Sequence, residues 1–213
     1  MSSSQTQKQA LAWRKKNIKM DDPVVPWTVA DTVRHMAGNR AFMTYHVMMT
    51  PWALGTPVGC VLGAGIYGVQ TLLSSSRPSS SVLQSMATTG LVVGGLGVTV
   101  GLTRRIMLGI QGEKAQAKIP WTADGIQQRV DGLSHNFLVR VLDLSAWNGL
   151  AAATASLVVL GGPVPLGLAA GPWGVVQALT LGSSLGSLGG IGCVYSVKSA
   201  AKAALDDNDD DES

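Results

Sequence analysis

Residues 144–197 read LSAWNGLAAATASLVVLGGPVPLGLAAGPWGVVQALTLGSSLGSLGGIGCVYSV, without a single Asp, Glu, Lys or Arg. A helix rises about 1.5 Å per residue and a bilayer core is about 30 Å thick, so one crossing takes about 20 apolar residues. The tract is too long for one crossing. Its middle, Gly161-Gly162-Pro163-Val164-Pro165, breaks a helix, because proline has no N–H to give and glycine resists ordering. The tract therefore folds back as two spans, near 145–162 and 172–197. Nothing in it could form the polar face of a soluble amphipathic helix.

Two further uncharged stretches lie upstream, Trp52–Leu73 and Ser81–Thr103. They predict spans near 52–73 and 82–103, with the first able to start earlier, within Ala41–Thr50. The fold class is thus an all-α membrane protein of four transmembrane helices. Composition agrees: only 14% of the 213 residues are charged, 26 are glycine and 5% are aromatic, and mean hydropathy is +0.25. The organisation expected is a basic N-terminal arm with an interfacial helix over 1–50, a four-span domain over 51–198 and an acidic, disordered tail over 199–213.

Charge sets the topology. All 16 basic residues except Arg77 fall before the first span, between the second and third, or after the fourth. An even number of spans puts these regions on one side of the membrane, as the bias of Lys and Arg toward one face requires. Arg77 stands alone in the Ser-rich turn of the other side. The first 20 residues hold five basic residues and no acid, which suits an organellar targeting segment or a lipid-touching arm equally.

Between spans two and three, Ile126, Val130, Leu133, Phe137, Val141 and Leu144 recur every three or four residues. They form one apolar stripe on an amphipathic helix. Such a helix lies in the headgroup plane, docks on a neighbouring subunit or packs back on its own bundle. Arg104, Arg105, Arg129 and Arg140 are the candidate surface for lipid or a partner.

Glycines repeat within the spans: Gly55, Gly59 and Gly63; Gly90, Gly94, Gly97 and Gly101; Gly182, Gly186 and Gly190, with Gly149 in register with Ser145, Ala152 and Ser156. Small residues at this spacing let two helix backbones approach closely, inward or toward a partner. These are helix-packing positions, not chemistry. No catalytic, cofactor-binding or metal-binding constellation is apparent. His35, His46 and His135 are scattered, and His135 with Asp131 reads as a wet helix face. Cys60 and Cys193 lie in apolar stretches and read as buried free thiols. The spans have no ionisable residue of the kind that marks ion or proton pathways. Gln70, Gln84 and Gln177 are their strongest polar groups, read as bonding to backbone near span ends.

Four short glycine-rich spans, a basic start and an Arg-rich connection resemble the PRAT (preprotein and amino acid transporter) family of mitochondrial inner-membrane proteins. Its signature of Arg, an Asp after three residues and following glycines is matched loosely by Arg140, Asp143 and Gly149. The resemblance implies a multi-pass protein of the mitochondrial inner membrane within a large complex. Together with the small-residue faces it leads to the expectation of a non-catalytic accessory subunit, of respiratory complex I. The alternative is a protein-translocase or small-solute channel subunit. Expected partners are other membrane subunits and an anionic lipid such as cardiolipin, with no nucleic acid and no cofactor.

Overall fold

The structure is a computed structural model that describes residues 27–74, 80–111 and 123–210. The basic start, the turn around Arg77, part of the second connection and the last three residues lie outside the described residues. Among the described residues the chain is all-helical: α1 (Val29–Leu73), α2 (Val82–Gln111), α3 (Ala123–Ser134), α4 (Phe137–Val159) and α5 (Gly171–Asp210), with a 3-10 turn at Val164–Leu166. Four helices are long and apolar enough to cross a membrane, over Val29–Leu73, Val82–Met107, Phe137–Val159 and Gly171–Val197. Large apolar side chains such as Val61, Leu96 and Leu185 point outward, more than half exposed. That outward apolar surface suits lipid rather than water, and the architecture is that of a multi-pass membrane protein.

The first helix departs from expectation. It begins at Val29, runs on past a break at Gly38 so that residues 39–50 lead directly into the first span, and carries Pro51 and Pro57 inside. Its start is set by Thr28 and Asp31: the Thr28 hydroxyl accepts the Asp31 N–H, and the Thr28 N–H donates to the Asp31 carboxylate at 3.0 Å. This reciprocal cap satisfies two donors that a helix start leaves open. At Gly38, with φ 81° and ψ −178°, the backbone leaves helical geometry and α1 kinks.

The connection between α2 and α4 also corrects the sequence reading. The apolar stripe does not run along one helix, because the chain breaks between Ser134 and Phe137. Asn136 caps α4 there, its side-chain oxygen accepting the Val139 N–H at 3.2 Å. Ile126 and Val130 of α3 pack into a core with Ala30, Phe42 and Met43 of α1, while Phe137 and Val141 pack against Val194 of α5. At the other end of the chain, α5 continues to Asp210. The Ala-rich run 200–204 extends an already nucleated helix at little cost.

The helices pair as α1 with α2 and α4 with α5. In the first pair a β-carbon on Gly59 would stand 2.5 Å from the Thr89 carbonyl oxygen, and one on Gly63 2.5 Å from that of Ser85. In the second, a β-carbon on Gly149 would stand 2.0 Å from the Gly182 carbonyl oxygen, and one on Gly186 2.0 Å from that of Ser145. No side chain fits such gaps, so the backbones themselves touch. The two pairs join through Trp52, whose indole N–H donates to the Ser183 hydroxyl at 3.0 Å, and through Cys60, whose thiol donates to Ser184 at 3.3 Å.

Candidate functional site

The polar side chains gather at one end of the bundle, where the start of α1, α3 and the start of α4 meet. Asp143 is the centre. It is 4% exposed, one carboxylate oxygen accepts the backbone N–H of Ala30 at 3.0 Å, and the other accepts the Tyr45 hydroxyl. The Tyr45 oxygen in turn accepts the Trp147 indole N–H at 2.6 Å. Ala30 is in the first turn of α1, so a carboxylate from α4 supplements the local cap and meets the positive end of the helix dipole.

One turn back on α4, Arg140 grips Asp31 with both terminal nitrogens, at 3.0 and 3.2 Å. It also donates to the Ser134 carbonyl at 2.9 Å. Asp31 is thereby both a cap and an ion-pair partner. A second set of contacts binds α3 to α1: Asn39 donates to the Gln127 side chain, Gln127 donates to Asp131 at 2.8 Å, and Arg34 pairs with Asp131 at 3.5 Å.

Arg140 therefore does not belong with Arg104, Arg105 and Arg129 on a surface for lipid or a partner. It lies inward because its guanidinium has the acceptor geometry of Asp31 to fill, a bidentate match that an exposed position would waste. The other three arginines do come together, around a pocket between α1, α2 and α3. Arg140, Asp143 and His46 stand on the helices that cross, just outside the uncharged stretches 52–73 and 144–197, and His46 and Asp143 are buried.

The glycines named from sequence all lie against neighbours within the chain. A β-carbon on Gly55 would stand 3.1 Å from the Gly94 Cα, Gly90 faces the Cys60 sulfur, Gly94 faces Thr56 and Trp52, Gly97 faces Pro51, and Gly101 faces the Val47 carbonyl. Gly182 faces the Gly149 carbonyl and Ala153, and Gly190 faces Ser145. A β-carbon on Gly65, Gly68, Gly95, Gly189 or Gly192 would meet nothing within 4 Å. Those five glycines have open space at their β-positions.

Gln84 and Gln177 bond near span ends. Gln84 and Ser81 cap α2 reciprocally, at 3.1 and 3.2 Å. Gln177 accepts the Ala169 N–H and donates to Thr88, both at 3.1 Å, while Gln70 is exposed. His135 is exposed, and its ring nitrogen meets the backbone carbonyl of Asp131 rather than its carboxylate. The two residues make no acid–base pair. Cys60 and Cys193 are free thiols, but Cys193 is exposed, because its register on α5 points it away from α4. Among the described residues no group of three His, Cys, Asp or Glu side chains is placed to hold a metal ion.

No protein-family model, curated protein or solved structure matches the chain. The geometry alone speaks for the site. What the polar cluster can do chemically is hold: Asp143 bonds the Ala30 N–H and the Tyr45 hydroxyl, Arg140 pairs with Asp31, and together they lock the entry of α1 onto α4.

Proposed function

We propose that this chain is a non-catalytic accessory subunit of a larger membrane assembly, a respiratory complex of the mitochondrial inner membrane, with complex I as the first candidate. The observation that carries the reading is the closure of both helix pairs by backbone contact along their glycines, from Gly55 to Gly101 and from Gly149 to Gly190. A channel needs a wetted, polar path between helices. Backbones in contact leave no width for one along these two seams. The resemblance drawn from the spans and the Arg-rich connection supplies the mitochondrial setting.

The glycines of α1 and α2 are used inside the chain, whereas Gly149, Gly182, Gly186 and Gly190 of α4 and α5 both touch within the chain and line an open groove. This apolar groove of about 620 Å³ runs along α4 and α5, bordered by Asn148, Ala152, Ser156, Leu185 and Gly189. Small side chains there leave room for a partner helix to approach.

The test is migration of the tagged full-length chain on native gels after mild detergent extraction. Co-migration with respiratory enzymes is the expected result, and Gly189→Leu, which adds bulk where nothing now stands, is expected to release a stable chain from the complex. Co-migration with a protein-import complex, or solute flux through the purified chain in vesicles, would overturn the reading.

A further inference from the structure

The groove along α4 and α5 holds a polar group with nothing to bond. Asn148 lines it and is exposed, and its carboxamide has no hydrogen-bond partner among the described residues. Further along α4 the hydroxyls are satisfied locally, Thr154 donating to the Leu150 carbonyl and Ser156 to that of Ala152, each at 2.9 Å. A hydroxyl can be met by the preceding turn in this way. A carboxamide brings two N–H donors and an acceptor oxygen, more than one helix carbonyl satisfies.

Depth makes the unmet amide costly. Asp143 is the last charge before the uncharged tract 144–197, and the rise of about 1.5 Å per residue carries Asn148 about 7.5 Å beyond it. Gly149, beside it, lies against Gly182 and Gly186, midway along the spanning stretch Gly171–Val197. Lipid tails offer neither donor nor acceptor at that level, so the amide needs a polar partner from protein.

Shape narrows the partner. Gly149, Gly182 and Gly186 line the groove at the points where the two backbones touch, which makes the surface concave. A two-fold contact between copies of this chain would set the same concave patch against itself and leave the space unfilled. One convex helix fits, because the small residues let its backbone come close.

We propose that the groove receives a transmembrane helix of a different subunit, and that this helix carries an amide or hydroxyl side chain hydrogen-bonded to Asn148. The inference rests on the reading of the chain as an accessory subunit, and adds to it the chemistry of the partner and the depth at which it is recognised.

The experiment compares full-length variants, expressed in their native membrane, by native gel after mild detergent extraction, with thermal unfolding of the purified chains alongside. Asn148→Leu keeps the volume and removes the donors and the acceptor. Its assembled fraction should fall by about threefold or more, since a hydrogen bond between membrane helices changes affinity by about 3- to 20-fold. Its unfolding temperature should not fall, because the amide bonds to nothing inside the chain. Asn148→Gln, which keeps the amide on a longer stem, should assemble better than Asn148→Leu. Release of Gly189→Leu with full assembly of Asn148→Leu would overturn this inference and leave the docking reading standing, whereas full assembly of both would overturn both. A lower unfolding temperature for Asn148→Leu would place the partner of the amide inside this chain and overturn the inference too. So would disulfide-linked pairs of the chain formed by Asn148→Cys, with the exposed Cys193 replaced by serine, which would make the occupant a second copy.

Discussion

The carbonyl oxygen of Val47 lies 2.6 Å from where a β-carbon on Gly101 would stand. Val47 is four residues before Pro51, which has no N–H to give that carbonyl. The acceptor that proline frees in α1 is therefore met by the bare Cα of Gly101 in α2, a close C–H···O approach. The proline ring itself rests against Gly97, 3.1 Å from its β-position. A residue that normally ends a helix is thus absorbed into the seam between two.

Filling that seam should unfold the chain rather than free it from a partner. Gly101→Ala forces a β-carbon onto backbone that cannot rotate away, and overpacking of this kind costs about 1–3 kcal/mol. Gly95→Ala, with nothing within 4 Å, should be close to neutral. Gly94→Leu and Gly97→Leu should reduce the amount of folded protein itself, since their neighbours Thr56, Trp52 and Pro51 belong to the same chain. Unfolding in mixed micelles checks all four. A stable but unassembled Gly94→Leu chain would show that the seam opens to another subunit.

The four spans were legible because a bilayer fixes the length of an uncharged helix, and the long tract 144–197 had to turn at its Gly-Pro cluster. Close approach of glycine-bearing helices was legible as a property, but not its partner, since spacing shows that a backbone can come near without showing whose. The polar cluster was missed for a different reason. Asp31 and Arg140 are 109 positions apart and Ala30 and Asp143 are 113 apart, and no periodicity connects residues at that separation. Local signals were nonetheless present: Thr28-x-x-Asp31 spells a helix cap, and Asp143 is an acid one position before the uncharged tract, three residues after an arginine. The reading of Arg140 as a surface cation took sequence position at a span end for exposure.

Asp143→Ala should be among the most destabilising single changes in the chain. It removes the acceptor of the Ala30 N–H and of the Tyr45 hydroxyl, and each buried donor left without a partner costs about 1–3 kcal/mol. Asp143→Asn keeps an acceptor oxygen in the same volume and should lose less than half as much. Thermal unfolding of the two variants in the same detergent checks the order. Equal losses would mean that the carboxylate charge, not its acceptor role, holds the cluster.

Arg140 and Asp31 should be energetically coupled. Their side chains are 19% and 13% exposed, so solvent screens them less than a surface pair, and a double-mutant cycle with Arg140→Gln and Asp31→Asn should return about 0.5–3 kcal/mol of interaction. Arg140→Lys should fail to restore it, because an ammonium cannot make the paired contacts at 3.0 and 3.2 Å. Additive losses would reduce the pair to a coincidence of packing.

Gly38 sets the angle at which the capped start of α1 reaches α4. At φ 81° and ψ −178° its backbone occupies a region that is essentially closed to residues with a β-carbon. A β-carbon there would meet nothing within 4 Å, so crowding plays no part and any loss is backbone strain alone. Gly38→Ala should therefore destabilise by about 1–3 kcal/mol. Gly68→Ala is the matched control, a helical glycine with equally open surroundings, where alanine should be neutral or slightly favourable. The strain has a specific escape: if α1 straightens through position 38, Asp31 and Ala30 are drawn away from Arg140 and Asp143. Amide hydrogen exchange reads this directly. The Ala30 N–H, protected by Asp143 at 3.0 Å, should exchange faster in Gly38→Ala while amides of the α4–α5 pair keep their rates. Unchanged protection at Ala30 with unchanged unfolding temperature would show that the kink at Gly38 is not required to seat the start of α1.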